Sequence, residues 1–263
     1  MAITLFPMII PQQCRRIANR PTAKNYMGQQ VVATRKIYEA YHTITYNYEL
    51  LSSRQYRILN NHFRSMDGGK TSFYVVDWGD PRPVSAISTV YITVNNVQGF
   101  SINTGDGGNR IIVWQNNGDY GDVCTATGSV ITDRSKAWTV NEWAGYRLMD
   151  SIGTEFTISS NTANTITVSS GSPMAGAYDI YRYVERVIST IDTALRKLTL
   201  SVDPSLTYSK AFEYFVLPVY ECFYIQDTLG IEPGDDGFNP EPNDNYGPYY
   251  EGQIEFIQKG TGT

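Results

Sequence analysis

Asp77 and Asp80 flank Trp78-Gly79, where an apolar stretch gives way to Pro81 and Pro83. Two carboxylates roughly 5–9.5 Å apart can share the acid and base work of glycoside cleavage, which makes this pair a candidate for hydrolytic chemistry. Carboxylates at a strand exit ahead of prolines are more often turn formers, and that use is the expected one. The chain has two histidines, His42 in an alternating stretch and His62 in a helical one, and neither stands beside a serine or cysteine motif that would make a triad. Neither G-x-S-x-G nor H-E-x-x-H occurs. Cys14, Cys124 and Cys222 are odd in number and far apart, which fits reduced thiols and neither a disulfide framework nor a zinc site. The expectation is a protein that is not an enzyme and that carries no cofactor or metal.

Three other groups raise the question of binding. Gly69-Lys70-Thr71 ends like a phosphate-binding loop, but Arg64 stands where the first glycine of that motif belongs. A helix precedes this corner and a strand follows it, so it sits at the carbonyl end of the helix dipole, which repels phosphate. Asp235, Asp236 and Asp244 fall in the acidic, proline-rich loop 232–248 and suggest calcium, yet the spacing and closing glutamate of an EF-hand are missing. Trp138, Trp143 and Tyr146 are candidate glycan-stacking aromatics, although buried rings closing a small barrel are the commoner use of such residues.

The elements that must position these residues follow from periodicity. In IYEAYHTITYNYELL the even positions from Tyr38 to Leu50 are mostly apolar, and Glu39, Thr43, Thr45, Asn47 and Glu49 make the opposite face polar, the mark of a half-buried strand. Tyr56, Leu59, Phe63 and Met66 recur at helical spacing after Ser52 and Ser53, candidate N-caps, and Asp67-Gly68-Gly69 stops that helix. TSFYVVDW resumes as a strand, and Pro81 and Pro83 exclude its continuation. From 85 to 185 short strands alternate with Gly/Asn/Asp turns, including a hairpin that turns near Asn161 to Asn164. The close is a hairpin turning near Asp192 to Leu195, an aromatic run through AFEYFVLPVYECFYIQ, and the alternating GQIEFIQKG. The beginning, FPMIIPQQCRR and NRPTAKN, is read as irregular. The expected fold is mainly β with one principal α-helix, in which residues 1–84 and 186–263 form one discontinuous domain and 85–185 an inserted small β-barrel or sandwich.

Composition narrows the partners. Charged residues make up 18%, net charge is −5 and no Lys/Arg run occurs, so a nucleic-acid-gripping surface is not expected. No stretch approaches the ~18 continuous apolar residues of a membrane span. With no basic start or cleavage site ahead of LFPMII, the expectation is a soluble protein made in the cytoplasm.

The order of the pieces from Arg35 to Asp80 resembles a family of phage and gene-transfer-agent distal tail proteins. The arginine-led strand TRKIYEAYHTITYNYEL, the helix carrying His62-Phe63, the Gly-Gly corner and the strand closing in Asp77-Trp78 carry the likeness, and RVISTIDTALRKLTLSV extends it. The corner reads MDGG where the family has an arginine before the glycine. The resemblance implies a tail-tube-like β domain assembled as a hexameric ring in the baseplate, a minor tail protein of the virion that joins the tail tube to the host-facing hub. Residues Glu39, Thr43, Thr45, Asn47 and Glu49 would then line the lumen or a ring interface, and DNA would pass without specific binding. On a monomer the same face would simply meet solvent. A β module that binds carbohydrate at the host surface is the competing expectation, and a glycan-cleaving tail enzyme is a third.

Overall fold

The computed structural model describes residues 4–19, 22–27, 30–36, 41–102, 109–204, 206, 213–225, 228–233 and 250–259. The chain first forms β1 (Gln13–Asn19), β2 (Thr22–Met27), β3 (Gln30–Lys36), β4 (Tyr41–Leu51), α1 (Ser53–Ser65) and β5 (Phe73–Val76). Next come β6 (Arg82–Ile87), β7 (Tyr91–Val94), β8 (Arg110–Gly121), β9 (Thr125–Thr127), β10 (Val130–Thr132), β11 (Arg147–Met149), β12 (Glu155–Asn161) and β13 (Thr165–Val168). The last are β14 (Tyr178–Asp192), β15 (Lys197–Leu200), β16 (Tyr214–Tyr224), β17 (Ile231–Pro233) and β18 (Tyr250–Gln258). The fold is mainly β with one α-helix, as its alternating sequence dictates.

A closed six-stranded antiparallel barrel forms the middle of the molecule, running β6-β7-β15-β14-β8-β16 and back to β6. Closure removes both sheet edges. Val84, Ile92, Val94, Ile111, Val113, Ile188, Leu198, Leu200 and Val216 fill its interior. The start of β8, RIIVW, is apolar on both faces for a reason: Ile111 and Val113 point into the barrel, while Ile112 and Trp114 belong to the core outside it.

That second core lies between α1 and the antiparallel sheet β1-β4-β18-β16-β5. Strand β16 serves both units. Its first half faces the barrel through Tyr214 and Val216, and its second half faces the outer core through Val219, Cys222 and Tyr224. The change falls at Pro218, the last residue paired with β8, where the missing N–H ends a ladder at little cost. The run TSFYVVDW does not continue through Pro81 and Pro83, since β5 stops at Val76; Pro83 lies near the start of the next strand, β6, opposite Phe215, where β6 and β16 pair only over Arg82 and Pro83. A third core gathers Ile131, Leu148, Ile158, Ile166, Tyr178 and Ile180 from β9 through the start of β14.

The expected boundaries at 84/85 and 185/186 fall inside β6 and β14, so the strands of the barrel come from both sides of each boundary. The irregular beginning expected from FPMIIPQQCRR and NRPTAKN instead supplies β1 and part of a hairpin.

Helix α1 begins where the sequence says it should. Ser52 accepts from the Gln55 amide and the Gln55 side chain returns to the Ser52 amide, a capping box that satisfies two otherwise orphaned N–H groups. Ile58 and Leu59 are buried, Tyr56 and Phe63 pack against the core, and Tyr56 stacks on Tyr250 at 4.1 Å. After the helix Gly69 takes φ +99° beside β16, where a Cβ would stand 2.8 Å from the Tyr224 carbonyl oxygen. Only glycine meets both demands. Lys70 pairs with Asp67 at 3.0 Å on the surface, so the Gly-Lys-Thr corner is a helix stop and the turn into β5.

Candidate functional site, an open sheet edge and its hairpin

Strand β1 pairs with β4 from Gln13↔Asn47 to Asn19↔Tyr41, and no strand among the described residues pairs on its other side. Alternate backbone N–H and C=O groups of such an edge strand point outward, a template for a further strand. Near its start the edge is met by Gly79, where a Cβ would lie 2.8 Å from the Cys14 carbonyl oxygen. Beyond β1, strands β2 and β3 pair from Thr22↔Lys36 to Met27↔Gln30 as a separate two-stranded sheet. Six residues of extended chain at ~3.4 Å each carry this hairpin about 20 Å.

The polar face expected to line a lumen or interface is placed by β4. Ile44, Tyr46 and Tyr48 are buried on its inner side, as the alternation requires. On the other side Thr43 and Asn47 are half-buried and Glu49 is exposed, whereas Thr45 is only 7% exposed. Arg15 and Glu255 stand directly across from Thr45 on the two neighbouring strands, so the face carries one positive and one negative charge at its centre. Gln13, Asn47 and Gln253 continue it in register, and the Asn47 amide donates to Gln13 Oε1 at 3.4 Å. Alternation fails at the strand end, where Leu51 is buried and Leu50 exposed, next to an irregularity in the pairing with β18. Glu39 lies outside the described residues.

Asp77 and Asp80 border a polar cavity of about 480 Å³ with Cys14, Arg15, Arg16, His42 and Gly79. Asp77 is buried; its Oδ1 accepts from the Gly79 amide at 3.1 Å and from the Cys14 thiol at 3.7 Å. Burial raises the Asp77 carboxyl above its usual range, partly opposed by the Arg16 charge and the Gly79 amide. Burial and then the Asp77 charge push the Cys14 thiol up to about 12, so it stays protonated as a donor and is a poor nucleophile. Asp80 is held by Arg82 at 2.6 Å. Both carboxylates fasten the turn between β5 and β6, the structural use expected of them.

His62 sits within an aromatic cage. Its ring lies edge-on to Phe6 at 5.2 Å and to Phe73 at 4.9 Å, Nδ1 is 2.7 Å from the Tyr224 hydroxyl, and Nε2 is buried without a hydrogen-bond partner. Burial lowers its pKa from 6.5 to about 4. Between these values the unfolded chain binds a proton that the folded chain does not, so stability is full above pH 6.5 and declines as pH falls toward 4. The loss is on the order of 3 kcal/mol across that window. The raised Asp77 carboxyl acts in the opposite sense at its acid end. Urea midpoints measured between pH 7 and 4.5 should fall for the native sequence and fall much less for His62→Gln; equal slopes would contradict this assignment.

The candidate glycan shelf is interior. Trp138, Trp143 and Tyr146 are 9%, 7% and 5% exposed and belong to the third core, so no sugar can stack on them without unfolding it. The Trp138 indole donates to Asp119 at 2.7 Å, and the Tyr146 hydroxyl accepts from Gln115 and Asn117. Proximity in sequence brings these rings together on paper, but hydropathy alone does not say which side of a loop faces inward. The accessible tryptophans are Trp78 and Trp114, both half-buried and edge-to-face at 5.4 Å. RIIVW, apolar on both faces, places Trp114 against a second layer outside the barrel; no pattern in the sequence singles out Trp78 as its neighbour.

Asp235, Asp236 and Asp244 lie outside the described residues. Among the described residues no group of three or more His, Cys, Asp or Glu side chains could hold a metal ion, and no helix is long and apolar enough to cross a membrane. Compared with known proteins, the chain matches no family model and no curated sequence.

Proposed function

We propose that this chain is a structural virion protein of a long-tailed phage, a distal tail subunit that forms a hexameric ring between the tail tube and the host-facing baseplate hub. The hairpin β2-β3 carries the reading, because it lies in the chain between the paired ends of β1 and β4 and, among the described residues, pairs with neither the barrel nor the outer sheet. A lone two-stranded hairpin is marginal in water and gains stability when a neighbour supports it. Contact of one subunit's hairpin and edge with a different surface of the next is heterologous, and such contacts close into rings when the rotation permits. The likeness of residues Arg35 to Asp80 to distal tail proteins points the same way. The face around Thr45, with Arg15 and Glu255 offsetting each other, suits a lumen through which DNA slides without being held. In this proposal the subunit folds in the host cytoplasm and ends in the tail tip.

Replacing residues 20–40 by a two-residue Asn-Gly turn tests this, since it joins Asn19 directly to its ladder partner Tyr41, keeps the β1-β4 ladder and removes the hairpin. Light scattering should give a closed multiple of the subunit mass for the intact chain, alone or with its tail-tube partner, and a folded monomer for the shortened one. An intact chain that stays monomeric with that partner, or a shortened chain that assembles equally well, would refute the proposal.

A further inference from the structure

Trp78 and Trp114 form an L-shaped corner on the outside of the barrel, with interplanar angle 82°. With Pro81, Asn116, Phe215 and Leu217 they enclose an open cavity of about 190 Å³. Its floor is rigid. Trp114 on β8 lies directly across from Phe215 on β16, Leu217 follows two residues along the same face, and Tyr181 stacks behind Trp114 at 5.8 Å. Trp78 is carried by the turn that Asp77 fastens, and its amide donates to the Val76 carbonyl at 3.1 Å.

The charge at the rim is negative. The Asn116 amide nitrogen donates to the Glu213 carbonyl at 2.9 Å, which sets Glu213 beside the cavity, and Asn116 Nδ2 is 3.5 Å from Glu213 Oε2. Among the described residues Glu213 has no cationic partner. Asp80 is also adjacent, but Arg82 neutralises it at 2.6 Å.

We propose that this corner binds a methylated ammonium group. The faces of tryptophans are the strongest aromatic partners for a cation, and the Glu213 carboxylate at the rim adds complementary charge. Guanidinium and primary ammonium ions bring N–H donors that must find acceptors once desolvated, and Asn116 is the one lining residue whose side chain carries an oxygen acceptor, with Glu213 next to it at the rim. A trimethylammonium head brings none. At ~30 Å³ for each water-sized group the cavity takes roughly six, which accommodates nitrogen, its methyls and one methylene. The cavity is lined by residues of a single subunit and needs no ring partner.

Calorimetric titration of the full chain with choline, and with its uncharged isostere bearing tert-butyl in place of trimethylammonium, tests the assignment. Choline should bind saturably and on the order of tenfold more tightly than the isostere. Trp114→Leu should abolish binding. Because Trp114 also packs on Tyr181, the exposed substitution Glu213→Gln, verified to melt like the native chain, supplies the second arm and should weaken choline binding several-fold. Isostere and choline within twofold of each other would overturn the proposal, as would absence of saturable choline binding. So would unchanged affinity in Glu213→Gln, or methyl glycosides binding at the corner in place of choline.

Discussion

Phe6→Ala should cost the protein about 3–5 kcal/mol, the largest loss expected of any single substitution discussed here. Phe6 is 2% exposed and lies in a segment without regular secondary structure, tied to β5 by its amide on the Tyr74 carbonyl at 2.8 Å. Its ring stands 5.6 Å from Tyr46, 6.1 Å from Phe73, 6.4 Å from Tyr224 and 5.1 Å from Phe256, besides His62. Alanine would leave a void that four elements with their own pairing constraints cannot close, so the cavity adds to the lost transfer energy. Urea denaturation should show a lower midpoint with an unchanged slope. Ile10→Ala, in the same segment but at a residue 50% exposed, should shift stability by under about 0.5 kcal/mol. A Phe6→Ala loss as small as that would mean that the N-terminal segment does not complete the core.

Arg54→Met should cost about 2–3 kcal/mol. A cation in the first turn of a helix opposes the dipole, and α1 has no acidic residue there, so Arg54 must owe its place to what it touches. Its guanidinium donates to Asp179 Oδ2 at 2.6 Å, to the Met149 carbonyl at 3.0 Å and to the Asp150 carbonyl at 3.1 and 2.6 Å. These bonds tie α1 to the end of β11, joining the outer core to the third. Methionine keeps the stem and takes the guanidinium from two carbonyls, of which Asp150's keeps the Gly153 amide at 3.1 Å, and this loss is the costly part; Asp179, with its side chain 40% exposed, recovers water and adds little. Arg57→Met, one turn on, loses only an exposed 3.4 Å contact with the Ser151 carbonyl and should change stability by less than about 0.5 kcal/mol. Chemical denaturation of the two variants side by side checks the difference; equal losses would contradict it.

Local signals carried much of this architecture. Ser52, the helical spacing of the apolar residues and Asp67-Gly68-Gly69 placed α1 within a residue or two, because caps and periodicity act over one turn. The hairpin turns at Asn161 to Asn164 and Asp192 to Leu195 were equally readable, being set by their own residues. What local pattern could not supply was partnership between distant strands. The barrel draws β7 and β8 from the expected insertion, β15 and β16 from the expected outer domain, and β6 and β14 from across the two boundaries, a closure decided by pairings more than a hundred residues apart along the chain. Strand β1 was missed because Gln13, Arg15 and Arg16 give it the polar look of a loop, which is how edge strands are often dressed. The burial of Trp138, Trp143 and Tyr146 and the exposure of Trp78 and Trp114 likewise depend on which layer covers which face.

The proposed ring is tested most directly by imaging. Negative-stain class averages of the purified chain with its tail-tube partner should show a closed annulus with a central opening and six-fold symmetry, each subunit's hairpin reaching its neighbour. Averages showing isolated subunits, or open filaments with no closed ring, would contradict the account.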